Sequence, residues 1–357
     1  MTELRINGIH YSQEQLLAFC TEQLKSNSNK WECDVYAFIL EWMNSYDTIT
    51  AHTSGSTGTP KQIKLSKQKM LASARMTGEF FQFEKAQTAL LCLSPNFIAG
   101  KMMVVRAILW QLNLILVEPN GHPLQNINMD IDFAAMIPLQ VNNSLNDGNQ
   151  INRIKKLLIG GGAVDQILEE KLQDLKCEAF SSYGMTETVS HVAIKALNGS
   201  CRSETYHTIG KVQFSKDNRG CLLIHAPEIL EKDLLTNDMV KLQSDKEFKW
   251  IGRFDNVVNS GGIKLFPEQI EDKIRGILSV SFFCAGLPDA HLGQKLVLVL
   301  ELEEQTSAYK IELMKQLKSL LGKYEQARDI IFIPQFRRTS NGKIQRDATL
   351  LLSKSCK

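Results

Sequence analysis

One stretch of the chain, Thr53-Ser54-Gly55-Ser56-Thr57-Gly58-Thr59-Pro60-Lys61, concentrates glycines and hydroxyls ahead of a lysine. Glycines let the backbone curl so that successive N–H groups point inward, the hydroxyls add donors, and Lys61 adds a full positive charge. Such a stretch suits a polyphosphate. It is not a Walker A loop, because it holds no Gly-Lys followed by Ser or Thr. A flexible Ser/Gly linker is the competing reading, opposed by Pro60-Lys61 and by strand and helix signals on either side.

A second stretch, Ser181-Ser182-Tyr183-Gly184-Met185-Thr186-Glu187-Thr188, follows a strand-like run. An aromatic ring can lie against a purine, Gly184 permits close backbone approach, and Thr186 can donate to a phosphate oxygen. Glu187 offers a hard oxygen ligand to Mg²⁺. By itself this also reads as a plain Tyr-Gly turn with a capping Thr. Upstream, Gly160-Gly161-Gly162-Ala163 ends another strand and opens a helix, either for passage of a nucleotide or as a tight connection. Asp238, in Leu235-Thr236-Asn237-Asp238, is a carboxylate suited to both hydroxyls of a ribose, or else part of a surface turn. Gly252-Arg253-Phe254-Asp255 then leads to Ser260-Gly261-Gly262-Ile263-Lys264-Leu265, a junction where a hinge would sit. Last comes the polar turn Thr339-Ser340-Asn341-Gly342-Lys343-Ile344-Gln345-Arg346, whose lysine alone would pass for a solvated one.

The elements that must position these residues alternate between strand and helix. Residues 13–46 read as two amphipathic helices, Asp47–Ala51 as a strand, and a helix runs from Ser66, a good N-cap, to about Phe81. Apolar runs at Ala89–Leu93, Leu114–Val117, Ile131–Ile137, Lys156–Ile159 and Glu178–Ser181 are strands. Helical patterns such as Ile98–Leu112 and Val164–Leu175 separate them, which is the signature of a layered α/β sheet. Near residue 250 the character changes. Phe248–Ile251, Val257–Asn259 and Ile263–Leu265 are short strands, and a helix with Pro267 at N1 runs to about Leu278. Strands Val280–Leu287 and Lys295–Leu302, helix Tyr309–Leu321, strand Asp329–Ile333 and a terminal helix complete an α+β unit. The expected division is residues 1–252, a hinge at 253–256, and 257–357.

Bulk properties exclude several classes. At 357 residues the chain can bury a sizeable core, and a net charge of +2 gives no electrostatic case for nucleic acid or a membrane surface. No stretch approaches the roughly 18 apolar residues of a membrane helix, and the N-terminus has no signal pattern. Eight cysteines without C-x-x-C spacing argue against zinc and a redox pair, and for a reducing, cytoplasmic setting.

In their order and separation, the five segments resemble the adenylate-forming superfamily of acyl-CoA synthetases, peptide-synthetase adenylation domains and luciferases. The resemblance runs from about Ala51 to Arg346, and Thr53–Lys61 and Gly252–Asp255 are its most specific parts. It implies a large layered α/β domain followed by a smaller, mobile α+β domain. It also implies ATP, Mg²⁺ and CoA as reactants and cofactor, and a small-molecule carboxylic acid as the partner. In that family the residues matching Thr53, Ser54, Gly55, Ser56, Thr57, Gly58 and Lys61 hold the β- and γ-phosphates. Gly161 and Ser182 fall in the implied ATP site, the segment with Tyr183, Gly184 and Met185 stacks on adenine, Thr186 meets the α-phosphate, and Glu187 carries Mg²⁺. Asp238 matches the ribose-binding acid with Arg253 beside it, and Asp255 the hinge. Lys343 matches a mobile lysine between the substrate carboxylate and the α-phosphate. Gly261 and Gly262 match a hairpin that lines the pantetheine tunnel after domain rotation.

The chain departs from the pattern in having only fifty-two residues before Thr53 and Asn237 where glycine is usual. The N-terminal domain is therefore expected to be truncated relative to the family, and a homodimer is left open. Short members most resemble the 2-succinylbenzoate–CoA ligases of menaquinone synthesis. The acyl pocket is expected near Ser94–Lys101, with Phe97, Gly100 and His191 around the acid and Lys101 or Arg106 pairing with a second carboxylate. Phe97 in a core and Lys101 in solvent remain the alternative there. A CoA ligase for another aryl or short acyl acid, a peptide-synthetase-like activator, and a catalytically silent adenylate-binding scaffold are the competing functions.

Overall fold

The computed structural model describes residues 3–52, 62–148, 150–339 and 344–355. The polyphosphate stretch Thr53–Lys61 and the segment 340–343, with Lys343, lie outside the described residues.

A hairpin of β1 (Leu4–Ile6) and β2 (Ile9–Tyr11) precedes helices α1 (Gln13–Ser26) and α2 (Lys30–Met43). Helix α1 starts where it does because Ser12 and Gln15 form a reciprocal capping box. Strands β3 (Thr48–His52) and β4 (Gln62–Ser66) pair antiparallel, so the chain leaves and re-enters the ladder around 53–61 at adjacent residues, His52 opposite Gln62. Then follow α3 (Lys67–Phe81), β5 (Thr88–Leu91), α4 (Ile98–Trp110), β6 (Asn113–Leu116), β7 (Ile131–Met136) and α5 (Pro138–Asn146). The alternation continues through β8 (Ile154–Ile159), α6 (Gln166–Lys171) and β9 (Glu178–Gly184).

Strands β1, β6, β5, β7, β8 and β9 lie side by side and parallel. Both faces of this region are covered, so their residues alternate between two apolar layers rather than between core and water. Ala89, Leu91, Phe133, Ala135 and Leu158 enter one layer with the helices α1 to α4. Leu90, Ala134, Met136, Leu157 and Ile159 enter the other. Because the chain passes from β6 back across β5 to β7, the strand order reverses between β5 and β7. A crevice opens at the carboxyl ends of strands at such a point.

The sheet continues as an antiparallel arm. It comprises β10 (His191–Ala196), β11 (Tyr206–Thr208), β12 (Gln213–Lys216), β13 (Cys221–His225), β14 (Leu234–Ser244) and β15 (Glu247–Arg253). With this arm the sheet runs β12-β13-β14-β15-β11-β10-β9-β8-β7-β5-β6-β1-β2. Beyond Asn256, β16 (Val258–Ser260), β17 (Ile263–Leu265), β18 (Phe282–Asp289), β19 (Gly293–Glu301) and β20 (Asp329–Ile333) form a second sheet. Helices α7 (Pro267–Ile274), α8 (Ser307–Lys318) and α9 (Arg346–Ser355) accompany it. Alternation along β19 sends Leu296, Leu298 and Leu300 to one core and Val297 and Val299 to another. The described members of both cores come from residues 258–352 alone.

The α/β class read from the sequence holds, and three details differ. The region 191–244 is an arm of strands that the apolar runs did not announce, and the hairpin of β1 with β2 and the strand β4 were likewise missed. Helix α6 is shorter than Val164–Leu175, although Leu172 and Leu175 still pack into the core. Helix α7 ends at Ile274 rather than Leu278. Among the described residues no helix is long and apolar enough to cross a membrane.

Candidate active site

The carboxyl ends of β5, β7, β8 and β9 deliver, side by side, the segments at 94–101, 137–138, 160–163 and 184–191. The sequence candidates therefore converge because each follows a neighbouring parallel strand. Gly184, at the end of β9, has no room for a side chain. A Cβ there would lie 2.3 Å from the Ser190 carbonyl oxygen and 2.5 Å from the His191 Cα. The chain doubles back on itself at this point through a short 3-10 turn, Thr186–Thr188, and a reversal at Val189 with φ +65°. Ser190 N–H donates to Thr188 O at 2.7 Å, closing a γ-turn around a buried β-branched residue. That conformation is strained, and strain of this kind is held where surrounding structure over-determines it. Its effect is to present Thr186 and Glu187 on one side and Ser190 and His191 on the other. Glu187 is exposed.

Register across the antiparallel arm builds the next group. Asp238 on β14 stands opposite Arg253 on β15. Asp238 is only 6% exposed. The Tyr183 hydroxyl donates to Asp238 Oδ2 at 2.6 Å, and the Trp250 indole N–H donates to Oδ1 at 3.3 Å. Arg253 Nη1 is 3.5 Å from the same Oδ1, and its Nη2 is 3.3 Å from Asp255. Tyr183 itself sits edge-on to Phe248, ring centroids 5.1 Å apart, and burial pushes its phenol pKa well up, helped by the Asp238 charge. Asn237, the departure noted above, accepts from Arg219 Nη1 at 3.2 Å and donates to Asp255 at 3.2 Å. It ties Asp255 to β14. Trp250 was not singled out from sequence; it stands opposite Val240 in the hairpin of β14 and β15, a register that no local pattern announces.

A third group is buried beneath the first. Arg106 on α4 is 2% exposed, and its Nη2 donates to Ser190 Oγ at 2.9 Å. Ser190 Oγ is 3.2 Å from His191 Nδ1, and His191 Nε2 is 3.1 Å from Thr77 Oγ1 on α3. Thr77 spends its one proton on the Ser73 carbonyl at 3.0 Å. It must therefore accept from His191 Nε2–H, which leaves Nδ1 to accept from Ser190, and Ser190 to accept from Arg106. The direction of the whole chain is thereby set. Burial, and then the charge of Arg106, hold His191 well below the usual imidazole pKa, so it is neutral. Burial lowers the Arg106 pKa to about 9, which still leaves it a cation at neutral pH. Among the described residues no carboxylate pairs with Arg106, and its Nε has no hydrogen-bond partner. Thr77 and Ser73 were missed from sequence; two hydroxyls on the apolar face of α3 were the available sign.

Of the other acyl-pocket candidates, Gly100 is buried in the first turn of α4 and Phe97, its N-cap, is 46% exposed. Lys101 turns the other way. It lies 3.4 Å from Glu41 and 4.3 Å from the Phe38 ring centroid, both on α2, so it already has an anion. Gly261 and Gly262 form the turn between β16 and β17, with φ +60° and +83°. A two-residue hairpin with both central φ positive is the turn that matches strand twist. No group of three or more His, Cys, Asp or Glu able to hold a metal occurs among the described residues.

Residues 19–217 match the AMP-binding enzyme family. The 2-succinylbenzoate–CoA ligase of Enterococcus faecalis is 25% identical over 331 residues, covering 83% of this chain and 67% of that protein. The ligase of the same name from Escherichia coli is 24% identical over 314 residues, with the same coverage. Among solved structures, an acyl-CoA synthetase (AMP-forming)/AMP-acid ligase II-like protein from Dyadobacter fermentans is 38% identical. It covers 94% of this chain and 98% of its own, at a TM-score of 0.63. An O-succinylbenzoate coenzyme A synthetase from Bacillus subtilis, in complex with ATP and magnesium ion, superposes at a TM-score of 0.73 with 19% identity. That match covers 84% of this chain and 69% of the other. The family match over more than half of the sequence, with the Dyadobacter likeness over nearly all of it, means that this chain belongs to the AMP-binding enzyme family.

Proposed function

We propose that this protein is an acid–thiol ligase that activates 2-succinylbenzoate with ATP and passes the acyl group to CoA. The observation that carries the choice of acid is Arg106, a buried cation with no carboxylate partner among the described residues, held in one orientation by Ser190. A buried guanidinium is costly without an anion. An aromatic acid with a second carboxylate would supply one, which a monocarboxylic acid would not. The names of the Enterococcus and Escherichia relatives support the same acid.

In the first half-reaction a carboxylate oxygen bonds to the α-phosphorus of ATP and pyrophosphate leaves. Two anions must be brought together, so positive charge is needed where negative charge accumulates. Lys61 and Lys343 are proposed to provide it. Tyr183 is proposed to lie against the adenine and Asp238 to receive the ribose hydroxyls on the acceptor capacity that Tyr183 and Trp250 leave. Mg²⁺ suits this site as a passenger of the nucleotide, because it needs only one or two protein carboxylates beside phosphate oxygens. Glu187 is exposed and available for that. In the second half-reaction the CoA sulfur bonds to the acyl carbon and AMP leaves. The division at 253–256 and the hairpin at Gly261–Gly262 are proposed to bring the thiol in after the small unit has rotated.

The test is formation of CoA thioester, measured by mass, with 2-succinylbenzoate, benzoate and fatty acids. Thioester with 2-succinylbenzoate in clear preference is the expected result. Preference for another acid would move the substrate and leave the chemistry. No pyrophosphate released with any acid would make the protein a silent adenylate-binding scaffold.

A further inference from the structure

Arg106 is aimed from a distance. Ser190, which accepts from its Nη2–H at 2.9 Å, has a backbone with little freedom. The γ-turn around Val189 precedes it, and its carbonyl oxygen lies 2.6 Å from Thr188 Oγ1 and against the Cα of Gly184. What the backbone leaves open is the direction of the Ser190 hydroxyl proton. That is decided on α3, through His191 and Thr77, two buried side chains beyond the serine.

Every link in this run can both give and take a proton, except at its two ends. The Arg106 guanidinium only donates, and the Ser73 carbonyl only accepts. Thr77 passes the constraint of the helix backbone to the imidazole, because bonding back to the carbonyl one turn earlier spends its proton. A side chain of the same shape without that oxygen would leave His191 two arrangements. With its proton still on Nε2, a buried donor has no acceptor, which costs more than a hydrogen bond returns. Relief comes by moving the proton to Nδ1. The imidazole then donates to Ser190, and the Ser190 proton loses its acceptor and must turn elsewhere. The hydroxyl that aims the guanidinium is no longer held in one direction. A second proton on His191 offers no escape, since burial and the Arg106 charge keep the ring neutral.

We propose that Thr77 is a positioning residue for the acid site, setting the preference for a dianionic aromatic acid by fixing the direction of Arg106 through His191 and Ser190. The inference rests on the reading of Arg106 as the anchor of a second carboxylate. Thr77→Val keeps the branching and the packing of α3 and removes only the oxygen. It is expected to raise the KM for 2-succinylbenzoate, relative to that for benzoate, about fivefold, the worth of one neutral hydrogen bond, with the loss in KM rather than kcat. Thr77→Ser keeps the hydroxyl and should restore the wild-type ratio. The decisive measurement is a double-mutant cycle with Ser190→Ala. Because Thr77 acts through Ser190, Thr77→Val should change the ratio no further once the serine hydroxyl is gone, whereas a mere loss of helix packing would add in full. Additive losses, a fall in kcat with both acids, failure of Thr77→Ser to restore the ratio, or a ratio that Thr77→Val or Ser190→Ala leaves at its wild-type value overturns the proposal. A wild type that does not prefer 2-succinylbenzoate to benzoate, or a preference that survives Arg106→Met, overturns the reading of Arg106 itself, and this proposal with it.

Discussion

At Arg106 the chain keeps a guanidinium among apolar side chains, aimed by Ser190 and ultimately by His191 and Thr77. Truncating one side of a buried charge-assisted contact costs about 2 kcal/mol or more, roughly thirtyfold. Arg106→Met should therefore raise KM for 2-succinylbenzoate by about that factor and leave benzoate turnover unaffected, which steady-state kinetics on the two acids will show. His191 gives a pH signature. Its folded pKa is depressed below 6.5, so above that value both states are neutral and nothing changes. As pH falls below about 6.5 the unfolded chain takes a proton that the folded one refuses, and stability declines by about 1.4 kcal/mol for each unit of depression traversed. Thermal melts from pH 7 to 5 should show this decline in wild type and a flatter profile in His191→Gln.

Among the elements, the hairpin of β16 and β17 carries the second half-reaction in the proposed scheme. Gly262→Leu should suppress thioester formation while pyrophosphate release persists. Leucine at φ +83° is strained by about 1 kcal/mol or more, so the variant's melting temperature belongs beside its kinetics. Adenylation lost in equal measure would remove the hairpin from its proposed role. Legibility in the sequence followed burial. Strands β5, β7, β8 and β9 are covered on both faces, so they appear as apolar runs and their ends could be placed. Strand β14 could not be read this way, because its buried side presents Thr236 and Asp238 before Val240. The residues proposed to carry the chemistry are the ones that break the apolar pattern. Tyr183, Asp238 and Arg253 were legible as types in a spacing, whereas their convergence on one carboxylate depends on the register of β14 with β15. The link from Arg106 to Thr77 joins residues on α3 and α4 through the turn after β9, and no local pattern announces it.

For the molecule as a whole, one sheet holds both parts of the proposed chemistry while keeping them apart. The groups proposed to face the acid come from the segment after β5, from α4 and from the turn after β9, whereas Asp238, proposed to face the ribose, comes from the antiparallel arm that runs straight into residues 253–256. The apolar residues of 258–352 form cores of their own, which suits a unit able to move against the large sheet. The bond from the Trp250 indole N–H to Asp238 has a practical side. It couples a fluorophore to the carboxylate on which the ribose is proposed to settle. The chain has four tryptophans, and Trp31, Trp42 and Trp110 all lie on or beside the helices of the other half. Trp250 is in effect an optical gauge built into the nucleotide side, so its emission should report ATP occupancy with no label attached, and replacing Asp238 by Asn should silence it.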